Sequence, residues 1–164
     1  MKKTAKFIGI GVVVLLLLCQ LYQPERTNPP VDSAKTVEAR LQVSPEVKEI
    51  IGRACRDCHT HETRWPWYSY VAPSSWLVAD DVEHAREHMN LSEWAEYDAI
   101  QTDKMLDEIC EEVEAGAMPL PIYVLMHGDA DLSAQERQAV CEWTGAERQR
   151  LKGLEPRMNT DEHR

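Results

Sequence analysis

Several features are scarce or missing in this 164-residue chain. No segment alternates apolar and polar residues convincingly, which disfavours a β-sheet protein. There are no internal repeats. Lys and Arg number 18 against 28 Asp and Glu, and this net charge of −10 disfavours nucleic-acid binding. Only one pair of its five cysteines is closely spaced, whereas structural zinc usually needs two such pairs.

That one cysteine pair lies in the pentapeptide Cys55-Arg56-Asp57-Cys58-His59, a C-x-x-C-H pattern that attaches c-type haem. Each thiol can add to one vinyl group of the porphyrin, and the adjoining imidazole then lies under the iron as an axial ligand. We predict one covalent haem c on Cys55 and Cys58, with His59 as an iron ligand. The motif occurs once in the chain, so one haem is expected.

Two other uses of the cysteine pair stay open. Zinc could be held by Cys55, Cys58, His59 and His61, although all four ligands would crowd into one short turn. A thiol redox pair needs a βαβ context, and no run of β-branched residues precedes Cys55. Haem attachment is the preferred interpretation.

The N-terminus predicts export. Lysines precede an apolar run over residues 7–19, as in a Sec-type signal. No Ala-x-Ala-like site follows, and Leu18 makes a poor lipobox before Cys19. We expect residues 1–22 to stay as an anchor in the inner membrane, with the remainder in the periplasm. This location agrees with bacterial c-type haem attachment, which occurs outside the cytoplasm. A cleaved signal peptide and a soluble periplasmic protein are the alternative.

Composition divides the rest of the chain into three parts. Residues 23–36 are polar and proline-rich and predict an extended tether. Residues 37–154 form one small haem-binding domain, for which the buried porphyrin supplies much of the apolar core. Residues 155–164 form a polar tail that is expected to fray.

Periodicity predicts an all-helical domain. Ser44 is an N-cap followed by proline, and the apolar stripe that follows runs as a helix into Cys55. A second helix is predicted over 74–88 and a third over 92–115, with a break, ending at Gly116. A capping box at residues 133–136 opens a last helix toward Leu151. The helical stripes predict core positions for Trp76, Trp94 and Trp143.

Met118 is the predicted sixth ligand of the iron. It stands in Met118-Pro119-Leu120-Pro121, where two prolines stiffen the loop and lower the entropic cost of holding a weak thioether ligand. Met126 and His127 are the rivals. We expect 122–126 to be a short helical turn and Met126 to fill a gap in the core.

The chain resembles a bacterial family of exported, cytochrome c-like haem-binding domain proteins. The likeness rests on Arg53-Ala54 before the C-x-x-C-H motif, on Glu-Thr-Arg-Trp-Pro-Trp-Tyr-Ser at 62–69, and on segments 26–30, 71–73, 76–82 and 118–121. It implies a class I cytochrome c-like fold around one covalent haem, with a haem-binding or electron-transfer role. His61 departs from the pattern, where a small polar residue such as Asn is expected.

The aromatic block also suggests haem-edge contacts. Arg64, Trp65, Trp67 and Tyr68 could cover the porphyrin and donate hydrogen bonds to its propionates. Alternatively, the tryptophans are ordinary core residues and Arg64 is solvated.

The remaining cysteines and histidines are expected to be structural or exposed. Cys110 and Cys141 fall on apolar helix stripes and are predicted to be two buried thiols, with a disulfide between them as the alternative. The histidines without a partner pattern are expected at the surface; these are His84, His88 and His163.

Two functions follow. The first is a membrane-anchored, periplasmic, mono-haem cytochrome that transfers single electrons to a redox partner protein and has no catalytic residues. The second is a haem-based sensor or small peroxidase-like enzyme whose sixth ligand leaves.

Residues 80–142 are strongly acidic. They carry 17 acidic and 3 basic side chains, so their net charge is 3 − 17 = −14. These acids are either solvated helix faces or a surface that steers a basic partner.

Overall fold

The computed structural model describes residues 2–161 and the side chains of residues 3–153. The described residues contain no strand and form eight α-helices and three 3₁₀ turns, which confirms the all-α class. The helices are α1 (Lys2–Cys19), α2 (Val37–Arg40), α3 (Pro45–Ala54), α4 (Arg56–His59), α5 (Ser74–His88), α6 (Ala99–Glu114), α7 (Pro121–Met126) and α8 (Ala134–Asp161). The 3₁₀ turns are Trp67–Tyr70, Trp94–Glu96 and Gly128–Ala130.

Local capping signals set the helix starts, as the sequence predicts. The Ser44 hydroxyl accepts a hydrogen bond from the Val47 amide (3.2 Å) at the start of α3. At α8 the Glu136 carboxylate accepts from the Ser133 amide (2.8 Å), and the Ser133 hydroxyl accepts from the Glu136 amide (3.3 Å). Helix α5 covers the predicted residues 74–88.

One helix boundary agrees with the prediction and another differs from it. The predicted break divides the segment 92–115, and Asp98 then begins α6 through a capping box with Gln101. Gly116 ends this helix as predicted, with a φ of 67° that favours glycine. Helix α8 continues past Leu151 to Asp161, so the tail expected to fray is helical up to that residue. The tail's last residues, 162–164, lie outside the described range.

The interior consists of two apolar clusters that meet around α3, α6 and α8. The larger comprises Val37, Leu41, Val47, Ile51, Leu91, Trp94, Leu106 and Trp143. The smaller comprises Ile50, Val113, Leu132 and Val140, with Met118 packed against it. The core positions predicted for Trp94 and Trp143 are confirmed.

Trp76 does not belong to this core. Its ring is half-buried, and its indole N–H donates to the Tyr22 carbonyl (2.9 Å) on the N-terminal segment. Helix α5 buries Ser75 and Val82 instead, so the predicted core position of Trp76 is wrong.

A disulfide joins Cys110 of α6 to Cys141 of α8. The two helices pack closely, and the Cα atoms of the two cysteines are 4.7 Å apart, within the range that a disulfide spans. The expectation of two free thiols is therefore wrong.

The N-terminal segment is bound to the domain beyond α1. The Gln20 side chain donates to the Ala72 carbonyl (3.0 Å) and accepts from the Ala72 amide (2.9 Å). Further along, Arg86 of α5 donates to the Thr27 carbonyl (2.9 Å). The first part of the predicted tether therefore lies along the domain surface, and its last residues, 33–36, form a turn.

The predicted membrane anchor gains no support from the fold. Among residues 2–161, none of the helices combines the length and the apolar character that crossing a membrane requires. The apolar side chains of α1 from Phe7 to Leu18 are exposed.

Candidate haem site

The attachment motif lies where two helices meet. Helix α3 ends at Ala54, and Cys55 is both its C-cap and the residue before the short helix α4. The His59 amide donates to the Cys55 carbonyl (2.9 Å), which folds the motif into one turn. Cys55 and Cys58 are free, half-buried thiols. The motif therefore presents two thiols and an imidazole from a single compact turn.

This turn borders a cleft made of two adjoining cavities of about 90 and 410 Å³. Both cavities are lined by Ala54, His59, His88, Met118 and Pro119. The two predicted axial ligands, distant in sequence, thus face the same space.

The two thiols lie on opposite parts of the cleft. Cys55 lines the smaller, apolar cavity, whose other walls include Ile50, Ile51, Leu91, Met105, Ile109, Val113, Leu132, Val140 and Trp143. Cys58 lines the larger cavity, which reaches Asp80 and Asp81 of α5. The apolar interior suits the porphyrin ring, and the two thiols, the imidazole and the thioether that border it are the groups by which the protein would hold a haem. The residues present therefore fit a haem.

One hydrogen bond fixes the tautomer of His59. Its Nδ1 lies 3.0 Å from the Met89 carbonyl oxygen. A carbonyl oxygen can only accept, so Nδ1 carries the proton and Nε2 keeps a free lone pair. Burial lowers the pKa of His59, which keeps the imidazole neutral at pH 7. A neutral imidazole with a directed Nε2 lone pair is what an iron ligand requires.

Burial also keeps both thiols protonated. Desolvation raises the pKa of Cys55 to about 12 and that of Cys58 to about 11. A redox-active cysteine needs a lowered pKa, so these thiols do not resemble a thiol–disulfide exchange pair.

Zinc binding gains no support either. Among the side chains of residues 3–153, the one group of three close metal-binding residues is Cys110, Glu114 and Cys141, and the disulfide occupies both of its sulfur atoms. His61 does not line the two cavities; its Nε2 accepts a hydrogen bond from the Asn90 side-chain amide (2.7 Å).

The end of α6 positions Met118. The amides of Ala117 and Met118 both donate to the Glu112 carbonyl, at 2.9 and 3.0 Å. Because Gly116 reverses the chain just before them, Met118 emerges from the helix end toward the cleft.

The rival ligands lie elsewhere, since neither Met126 nor His127 is among the residues that line the two cavities. Met126 forms the last residue of α7, a helix the sequence predicts, but it is 52% exposed, so its predicted core packing is wrong. The His127 ring stacks on Tyr123 at 4.1 Å between centroids.

The predicted propionate donors do not line the two cavities. The Arg64 guanidinium donates to both carboxylate oxygens of Asp57, at 3.0 and 3.2 Å. Trp67 is 73% exposed, and Tyr68 packs edge-on against His127. The indole N–H of Trp65 is buried without a hydrogen-bond partner among the described residues. The haem-edge role of these four side chains stays a prediction.

Three residues of the site were missed by sequence reasoning. Asp57, between the two cysteines, is a buried carboxylate that also accepts a hydrogen bond from the Tyr123 hydroxyl (2.9 Å). Met89 supplies the carbonyl to His59. The acidic residue between the two cysteines was a usable sequence signal for Asp57, whereas Tyr123 and Met89 reach the motif only through tertiary contacts.

The surface histidines are placed nearly as predicted. The side chain of His84 is 70% exposed, and that of His88 is 64% exposed. His88 nevertheless lines both cavities and lies 3.3 Å from the Glu108 carboxylate, so it stands at the mouth of the cleft. His163 lies outside the described residues.

No curated protein and no solved structure matches this chain. The family model described as a haem-binding domain matches residues 14–146, which include the C-x-x-C-H motif and Met118. This match spans most of the chain and confirms the resemblance seen in the sequence motifs. The chain belongs to the haem-binding domain family.

Proposed function

We propose that the protein is a mono-haem c-type cytochrome that transfers single electrons. One haem c would be bound covalently through Cys55 and Cys58. When bound, it supplies an iron centre that is reversibly oxidised and reduced by one electron. The observation that carries the proposal is the cleft itself, where two free thiols, a neutral imidazole and a methionine face a largely apolar space.

His59 and Met118 would be the two iron ligands that the protein supplies. The Met89 carbonyl orients the His59 ring, and the Glu112 carbonyl holds the backbone of Met118. A thioether is a soft ligand that favours Fe(II), so His/Met ligation raises the reduction potential. Two protein ligands would leave the iron no free position for a substrate, which would favour electron transfer over catalysis.

A haem-based sensor or small peroxidase-like enzyme is the second candidate. It requires that Met118 leave the iron. One observation favours it: helix α7, which follows the Met118 loop directly, has no buried residue. An element with few buried contacts opens at low free-energy cost.

We infer that the protein acts outside the cytoplasm, in the periplasm. The Cys110–Cys141 disulfide is typical of an oxidising compartment, and the lysine-led apolar N-terminus resembles an export signal.

The expected partner is a basic redox protein. Asp80 and Asp81 line the larger cavity, and Glu108 and Glu112 line the smaller one. Carboxylates around the cleft create a negative potential that increases the association rate of a positively charged partner.

Haem attachment tests the proposal. The full chain, expressed with a cytochrome c maturation system, should keep its haem through acid–acetone extraction. Changing both Cys55 and Cys58 to Ala should leave the haem extractable, whereas Cys19→Ala, which alters the remaining free thiol of the described residues, should not. A colourless wild-type protein that contains zinc would refute the proposal.

Carbon monoxide separates the two candidate functions. If Met118 stays on the iron, the spectrum of the reduced protein should not change when the gas is added. Ready formation of a carbon monoxide complex by the wild type would favour the sensor or enzyme.

A further inference from the structure

Helix α7 is attached weakly to the rest of the domain. It begins at Pro121, directly after the loop that carries Met118, and none of its residues is buried. Ile122, Leu125 and Met126 are 54%, 82% and 52% exposed. Apolar burial therefore contributes little to holding this helix in place.

Tyr123 is the residue of α7 that connects it to the attachment motif. Its hydroxyl donates to an Asp57 carboxylate oxygen (2.9 Å), and its half-buried ring lines the larger cavity together with Met118 and Cys58. Hydrogen bonds to a charged acceptor are about twice as strong as neutral ones.

Asp57 is a fixed acceptor. Its side chain is 9% exposed and accepts hydrogen bonds from the Arg64 backbone amide (3.1 Å) as well as from the Arg64 guanidinium. Because Asp57 stands between the two attachment cysteines, a group bound to it is positioned relative to the haem-carrying turn.

The Met118 loop is thus held at both ends. Its first residues bind the Glu112 carbonyl at the end of α6, and its far end is held through Tyr123 and Asp57. The upstream attachment belongs to a long helix that a disulfide joins to α8, whereas the downstream one includes the side-chain hydrogen bond from Tyr123 to Asp57.

We propose that Tyr123 is a positioning residue whose hydrogen bond to Asp57 keeps Met118 on the iron, and that its loss converts a saturated site into one that admits an external ligand. The inference rests on the proposed ligation by His59 and Met118. The Tyr123 hydroxyl group would then determine whether the protein acts as an electron carrier or binds an external ligand.

The test uses the full-length, haem-loaded ferric protein titrated with imidazole. Tyr123→Phe removes the hydroxyl and keeps the ring that stacks on His127. We expect its apparent affinity for imidazole to rise about tenfold or more, because a hydrogen bond to a charged group is lost. The red charge-transfer band of Met–Fe(III) bonding should also vanish at a lower denaturant concentration than the helical circular dichroism.

Tyr70→Phe is the matched control, since it removes a hydroxyl from a ring that is 54% exposed and lies under Arg26. Its imidazole affinity should equal that of the wild type. Asp57→Asn should act in the same direction as Tyr123→Phe. If the two residues act through their shared bond, the double variant should gain less affinity than the product of the single gains.

The charge-transfer band and the imidazole affinity together distinguish a wrong role for Tyr123 from a wrong assignment of Met118 as an iron ligand. A wild-type protein that shows the charge-transfer band, together with unchanged imidazole affinity in Tyr123→Phe, overturns the role of Tyr123 alone. A wild-type protein without the band overturns the Met118 ligation and this inference with it.

Discussion

Single hydrogen bonds decide the chemistry of the candidate site. The Met89 carbonyl selects the tautomer of His59, and the Glu112 carbonyl holds the backbone at Met118. Both acceptors are main-chain oxygens, which no side-chain substitution removes directly. The side chains of the two ligands are therefore the groups whose replacement should change the iron environment most clearly.

Met118→Ala should abolish the red charge-transfer band, lower the reduction potential and let carbon monoxide bind, because the soft thioether would be lost. Met126→Ala is the control: its side chain is 52% exposed, and it should change none of these properties. Visible absorption and redox titration measure the outcome. Loss of the band in Met126→Ala, with its persistence in Met118→Ala, would reverse the assignment.

Among the elements, α6 and α8 form the frame of the cleft. Ile109 and Val113 of α6 and Val140 and Trp143 of α8 line the smaller cavity, and the Cys110–Cys141 disulfide lies beside them. The covalent bond therefore links the two helices that form much of the apolar wall.

Replacement of both Cys110 and Cys141 by Ala should lower the free energy of unfolding by about 3–4 kcal/mol, from the loop-closure entropy of cysteines 31 residues apart. Denaturant unfolding of the oxidised haem-loaded protein measures the change, with Cys19→Ala as the control. A loss below about 1 kcal/mol would contradict a disulfide role in stability.

At the scale of the whole molecule, the N-terminal segment and the domain are connected by specific contacts. Gln20 pairs with the backbone of Ala72, and Trp76 donates to the Tyr22 carbonyl. Removal of residues 1–22 would delete both contacts.

We predict that residues 1–22 are retained in the mature protein. The reason is the absence of small residues suited to signal cleavage near residues 18–23. N-terminal sequencing measures the outcome. A first residue after Tyr22 would show cleavage, and an acylated Cys19 would show a lipoprotein.

Local sequence signals predicted the helices and the attachment motif. Ser44 and the Ser133–Glu136 pair act within one helical turn, and Gly116 provides a backbone conformation that few other residues adopt. The C-x-x-C-H spacing matches the size of a porphyrin. Such features depend on neighbours a few residues apart, so they can be read from the chain directly.

The sequence by itself therefore determined the helical class, the family and the candidate haem ligands. Only the tertiary structure decided that Cys110 and Cys141 are joined, that Trp76 lies outside the core clusters, and that Tyr123 reaches Asp57. Each of these depends on how separate helices approach one another in space. Those distances arise from packing of the whole core, and the periodicity of one segment does not contain them.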